Sequence, residues 1–451
     1  MTVDPKSDAD WRRILVVSSV RIPLKQLGWF AALAFLTVVA GIRLWLLSAD
    51  AFPWDFAINY TASVALRRGV SLYDHEALRR LGTELTGRNV GFTDLFTSYI
   101  GPPTTAFLHL PFSHWAFDEA VTLYRLLAIV AFVSAVFIAG YALRPPHRRG
   151  GWLLGLMCLL TWAAPAESLA LGQLDCWITL AFAIGAICLN RQRYVVSGIA
   201  LGLATILKVS PLVILLYAIA RRRSSIAFAG FTTVGAFVAA STWFGGASDL
   251  RLFAFQVLPA LSGASSSFQN VSLPAFAFRL FSHVNDFTRA EAGLGGWQYV
   301  AAPFTLVAMA ALWSVSNQRE GVSRHDYAAL ILVALLGGPL TWTHYVSWAL
   351  VAVVLLADES PWRRRDRSFA WTSVALLAFG ILAEVIPTQS FRPSTVAQHW
   401  WLRIATGINS FGLFALLAVA IRGKLTESQA SRGQGLVKFV ELPSLPKGVA
   451  Q

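Results

Sequence analysis

Predominantly apolar runs of about twenty residues alternate along this chain with short clusters of Lys and Arg, and that alternation constrains the fold more than any motif does. Of 451 residues, 56% are hydrophobic and 14% charged, where an average soluble domain carries roughly a quarter charged residues. Seventeen Trp suit a chain that meets membrane interfaces repeatedly. The formal charge of +13 would suit nucleic acid if the basic residues formed a stripe. They sit instead in small groups between apolar runs, which is the positive-inside pattern of a multi-span protein. The three cysteines, Cys158, Cys176 and Cys188, all fall in apolar segments with no C-x-x-C and no zinc spacing, and read as core filler. The composition therefore predicts an all-α polytopic membrane protein, and excludes a soluble nucleotide- or nucleic-acid-binding domain.

Taken in order, the runs predict a topology. Residues 1–27 are polar and basic (Arg12, Arg13, Arg21, Lys25), so they form a cytoplasmic N-terminal tail, and the membrane domain covers 28–421. The first span, about 28–48, leads into an extracytoplasmic loop, 49–118, with mixed charges and two helices of its own near 55–68 and 74–87. Span two ends at Arg144, His147, Arg148 and Arg149. Spans three and four form a hairpin closed by Arg191 and Arg193. Residues 194–220 then lie between two clusters, Arg191/Arg193 and Arg221–Arg223, that belong on the same side. Two short helices broken at L-K-V-S-P, 207–211, satisfy that requirement, and irregular backbone at membrane depth must line a cavity. A second large outer loop spans 247–296. Further spans, one of them about 368–386, bring the count to about twelve, with both termini cytoplasmic. Residues 422–451 read as a disordered tail.

Four groups from distant parts of the chain fall on the outer side or at the tip of the broken pair: Asp55, Lys208, Asn270 and His344. Each has a plainer reading beside the functional one. Asp55 opens P-W-D-F at the start of a helix and can simply cap it, whereas Asp50 has no helical pattern behind it and reads as a solvated interface charge. Lys208 can snorkel from a helix end or meet a phosphate. Glu167 and Asp175 flank the turn G-Q-L-D, where a carboxylate at membrane depth is costly and so suggests function. His344, in T-W-T-H-Y, is structural or a ligand contact. The only D-x-D letters, at Asp8 and Asp10, lie in the tail, and there is no Walker loop or G-x-G-x-x-G.

Four separated motifs together resemble the bacterial membrane glycosyltransferases of family 87, which have the GT-C architecture. They are D-F-A-I-N-Y-T-A-S-V-A-L-R-R-G-V-S-L-Y-D from Asp55, P-P-T-T-A-F-L-H-L-P from Pro102, G-Q-L-D followed by G-I-A-L-G-L-A-T-I-L-K-V-S-P, and F-Q-N-V-S-L with T-H-Y-V-S-W further on. The resemblance runs over about residues 50–350. It departs from the family pattern at Gly101 (usually Tyr), at Asp175 (usually Asn) and in Q-N-V-S. It implies a GT-C-like bundle of about twelve transmembrane helices in a bacterial plasma membrane. The donor would be a polyprenyl-phosphate-linked sugar, a hexose such as mannose or an arabinofuranose, and the acceptor a glycan or glycolipid at the extracytoplasmic face. It further implies inverting transfer with Asp55 as general base, Lys208 and His344 at the donor phosphate, and Tyr60, Gln173, Asp175 and Asn270 around sugar and acceptor. No cofactor or metal is expected, because Lys and His can neutralise a phosphate leaving group.

The rival class is a secondary transporter, or a flippase for lipid-linked glycans, since broken helices also mark transporters. Transporters often repeat their halves, and the 53–74 pattern has no second copy here.

Overall fold

The computed structural model describes residues 24–90, 99–262, 265, 267, 269–281, 299, 301–315, 322–338, 340–357, 374–375, 404 and 407–440. Every regular element among them is helical, and one isolated antiparallel bridge joins Asn270 to Trp342.

Helix α1 (Leu24–Ala49) leads into a segment that holds α2 (Trp54–Arg68), α3 (His75–Thr86) and α4 (Pro103–His109), the last continuing as a 3-10 turn through His114. Local chemistry sets these limits. Gly69 and Gly87 end α2 and α3 in left-handed conformations, and Asp74 accepts from the Ala77 amide to start α3. The two helices expected in the first outer loop are thus present.

Next come α5 (Phe117–Tyr141), α6 (Pro145–Thr161), α7 (Ala163–Leu171), α8 (Asp175–Asn190), α9 (Tyr194–Leu207), α10 (Leu212–Ala220) and α11 (Ser224–Gly245). The break between α9 and α10 falls on Lys208–Pro211, with Lys208 itself extended. Pro211 has no amide to continue the ladder, and the residue before a proline avoids the helical region. Helices α6 and α7 are bent by 59°. Arg43 of α1 donates to the Leu159 and Trp162 carbonyls at 2.9 and 3.3 Å, occupying acceptors that the bend leaves without helical partners.

The chain goes on through α12 (Ala247–Leu252), α13 (Leu258–Ser262), α14 (Leu273–Phe281), α15 (Ala301–Val315), α16 (Arg324–Gly337), α17 (Ala349–Leu356) and α18 (Ile408–Val440). Helices α16 and α17 are buried on nearly all sides, so their continuous apolar sequence meets protein. Helix α1 instead turns Phe30, Phe35, Val38, Ile42 and Leu46 outward, a surface suited to lipid.

In two places the described residues and the expectation differ. Among the described residues four helices are long and apolar enough to cross a membrane, or five with the bent α6–α7 pair, whereas the apolar runs predict about twelve spans. Runs such as α8, α9 and α15 form shorter apolar helices. The expected span at 368–386 and most of the loop before α18 lie outside the described residues. The second difference is at the C-terminus. Helix α18 continues past Arg422 to Val440, where sequence composition predicts disorder, and Lys424 is buried 3.6 Å from the Asp326 carboxylate of α16.

Candidate active site

Helix α2, the α7–α8 turn, the α9–α10 break and the segment 340–345 surround one cavity of about 750 Å³. Asp55, Asn59, Glu167, Gln173, Lys208, Gln269, Thr343, His344 and Tyr345 supply its polar lining, and Val213, Phe253, Leu258, Leu261 and Val333 part of its apolar lining.

Asp55 stands one residue into α2, whose first residue is preceded by Pro53 with no side-chain capping bond. The plain capping role is therefore unfilled, and the part-buried carboxylate faces the cavity. Its surroundings raise its pKa through desolvation; His344, a bond from Gln173 and Lys208 pull the other way. Two arginine-free contacts and one arginine fix its helix. Arg125, buried on α5, donates to the carbonyls of Ala49 and Ala51 at 3.0 and 2.5 Å, fastening the chain that leads into α2. Phe56, the next residue, packs on Tyr124, Phe112 and Phe117. Tyr60, one turn on, donates to the Trp115 carbonyl at 2.8 Å.

Gly172 shapes the turn before Gln173. Its φ is +74°, and a Cβ there would come within 2.4 Å of the Phe56 Cβ and 3.2 Å of the Phe56 amide. Only glycine lets the α7–α8 turn lie against the start of α2. Gly172→Ala is expected to cost about 2–4 kcal/mol through left-handed strain and the clash, read as a lower Tm in detergent. Transfer should fall with it, because the clash pushes at the residue next to Asp55.

Asp175 is the hub behind the cavity. Its side chain is fully buried, and one oxygen accepts from Lys208 Nζ and from Trp348 Nε1, both at 2.8 Å. The other lies 3.5 Å from the Ser168 hydroxyl and 3.9 Å from His344 Nε2. Lys208 also rests over the Tyr345 ring, 3.2 Å from its centroid. His344 is 4% exposed and lies between two carboxylates, with Nδ1 3.9 Å from Glu167. Those separations exceed a hydrogen bond, and neither ring nitrogen has a hydrogen-bond partner among the described residues. The Thr343 hydroxyl donates to Glu167, 2.7 and 2.9 Å from its two oxygens.

The structure thus brings Asp55, Gln173, Lys208 and His344 to one cavity, and sets three other candidates behind it. Tyr60 packs on Phe56 and Phe117, outside the lining. Asp175 holds Lys208 and Trp348. Asn270 is fully buried, accepting from the Thr341 amide at 2.9 Å and donating to the Ser265 carbonyl at 2.9 Å, which steadies the strand-like entry to Trp342–His344. Sequence reasoning missed Arg43, Arg125 and the Tyr345–Trp348 bed under Lys208. The two arginines had a signal, since each is a charge inside an otherwise apolar run. Among the described residues no group of three or more His, Cys, Asp or Glu side chains is disposed to hold a metal ion.

Comparison with known proteins meets this geometry directly. A polyprenol-phosphate-mannose-dependent alpha-(1-2)-phosphatidylinositol mannoside mannosyltransferase of Mycobacterium tuberculosis (strain ATCC 25618 / H37Rv) is 26% identical over 425 residues, covering 88% of this chain and 93% of the relative. The enzyme of the same description from Mycolicibacterium smegmatis (strain ATCC 700084 / mc(2)155) is 24% identical over 385 residues, covering 80% and 83%. The profile of glycosyltransferase family 87 matches residues 99–343, more than half of the sequence, and takes in the α7–α8 turn, the α9–α10 break and the 340–343 part of the cavity wall, with α2, His344 and Tyr345 outside the match. The chain belongs to glycosyltransferase family 87.

Proposed function

We propose that this enzyme moves a sugar from a polyprenyl-phosphate-linked donor to a hydroxyl of a glycan or glycolipid on the extracytoplasmic side, with inversion and with Asp55 as general base. One observation carries the reading. Asp55, Gln173, Lys208 and His344, from four separate parts of the chain, line a cavity that also has a broad apolar lining. A lipid-phosphate sugar needs that combination: an apolar surface for the prenyl chain, donors at the phosphate, and a carboxylate at the acceptor hydroxyl.

The roles follow from what each side chain can still do. Asp55, uncapped and open to the cavity, takes the proton of the acceptor hydroxyl as its oxygen attacks the anomeric carbon. The bond between the anomeric carbon and the phosphate oxygen breaks, and its electron pair leaves on that oxygen of the polyprenyl phosphate. His344, whose ring nitrogens have no hydrogen-bond partner among the described residues, is one donor to that phosphate. Lys208 has its charge partly balanced by Asp175 and contributes as a fixed cation. Gln173 orients Asp55 and meets the sugar. Tyr60, Asp175 and Asn270, set behind the lining, act on sugar and acceptor by holding α2, Lys208 and the 340–344 segment.

The relatives' donor is the first to try. Purified protein in lipid vesicles should transfer labelled mannose from polyprenyl-phospho-mannose, or arabinofuranose from its polyprenyl-phosphate ester, to a membrane-extract acceptor. Vesicles that turn over neither donor but accumulate a solute would instead support the transporter reading.

A further inference from the structure

Glu167 is a second carboxylate in the cavity, and the roles above leave it unassigned. It sits on α7, beyond the 59° bend, and its side chain is 30% exposed, open to the cavity among otherwise buried neighbours. Thr343 gives a single hydroxyl proton to its two oxygens. An ionised carboxylate offers about four acceptor positions, so most of its accepting capacity remains beyond that contact. The group is also stationary: Thr343 belongs to the segment fixed by the Val271–Thr341 backbone bond and the Asn270 side chain. It lies next to His344, with 3.9 Å separating Oε1 from Nδ1.

Those facts limit what can face it. An acceptor-only anion repels a phosphate and binds a donor of hydrogen bonds. A position beside a phosphate-binding histidine is one sugar-width from the phosphate, because the sugar is attached there. We propose that Glu167 accepts hydrogen bonds from one or two hydroxyls of the transferred sugar, and so determines which sugar the enzyme moves. The proposal rests on the lipid-phosphate donor reading above.

The test compares wild type and Glu167→Gln on polyprenyl-phospho-mannose and on its 2-, 3-, 4- and 6-deoxy forms. A hydrogen bond to a charged group is worth roughly ten- to a hundredfold in kcat/KM, and Glu167→Gln should lose about that much on the full sugar. On the deoxy form lacking the hydroxyl that Glu167 reads, wild type should fall by a similar factor and the substitution should cost little more. Equal losses for Glu167→Gln on all five donors would overturn the proposal and leave Glu167 a support for Thr343 and His344. If Glu167→Gln does not accumulate, Thr343→Val carries the same comparison, with a smaller loss that again vanishes on one deoxy donor if the proposal holds and is uniform if it does not. Wild type turning over no polyprenyl donor would be a failure of the parent reading, distinct from either result.

Discussion

Asp55→Asn is expected to lower kcat by about 10²- to 10⁴-fold, the range a positioned general base supplies, while the donor KM stays within a few-fold of wild type. The amide has the shape of the carboxylate and cannot take the acceptor proton. It should leave the fold intact, because no backbone cap depends on Asp55. A pH series sharpens the same prediction. Desolvation raises the Asp55 pKa, and a base works only in its ionised form. Wild-type kcat/KM should therefore fall as pH drops through that raised pKa, at a higher pH than an ordinary carboxylate would give. The residual rate of Asp55→Asn should lack that acid limb.

Asp175→Ala is expected to be the most damaging change behind the cavity. It leaves Lys208 Nζ and Trp348 Nε1 without the oxygen both bond at 2.8 Å. Removing one partner of a buried pair costs about 3–5 kcal/mol, because the remaining charge stays buried and unmatched. Thermal unfolding in detergent should show the loss, and transfer should fall because Lys208 no longer holds its position over Tyr345. Asp175→Asn should be milder in both readouts, because it keeps the hydrogen bonds although it too leaves the Lys208 charge unmatched. Its amide oxygen still accepts from Lys208 and Trp348, and Ser168 and His344 lie on the other side. If Asn were as harmful as Ala, the charge of Asp175 rather than its hydrogen bonds would be what matters.

The parts of this architecture that were legible in the sequence are those set by local chemistry. Gly69, Asp74 and Gly87 mark the ends of α2 and α3, and Pro211 marks the break beside Lys208. Asp55 over Asp50 followed from helical periodicity and family pattern together. What sequence could not supply was the pairing of distant side chains. Asp175 reads as a cavity residue until Lys208 and Trp348, 33 and 173 positions away, close on it. Tyr60 reads as a neighbour of Asp55, one turn on, yet the turn of α2 carries its hydroxyl to Trp115. Span counting meets a related difficulty. An apolar run such as α16 has the same composition whether lipid or protein surrounds it, and only packing distinguishes the two.

The central claim is a single displacement on a lipid-phosphate sugar, with a base rather than a nucleophile on the acceptor side. The anomeric configuration of the product tests it most directly, read by NMR of the sugar transferred by purified wild-type enzyme from a polyprenyl-phosphate donor of known configuration. The account predicts one new linkage, of configuration opposite to the donor's. A product of the donor's own configuration would mean a covalent intermediate and contradict the role given to Asp55.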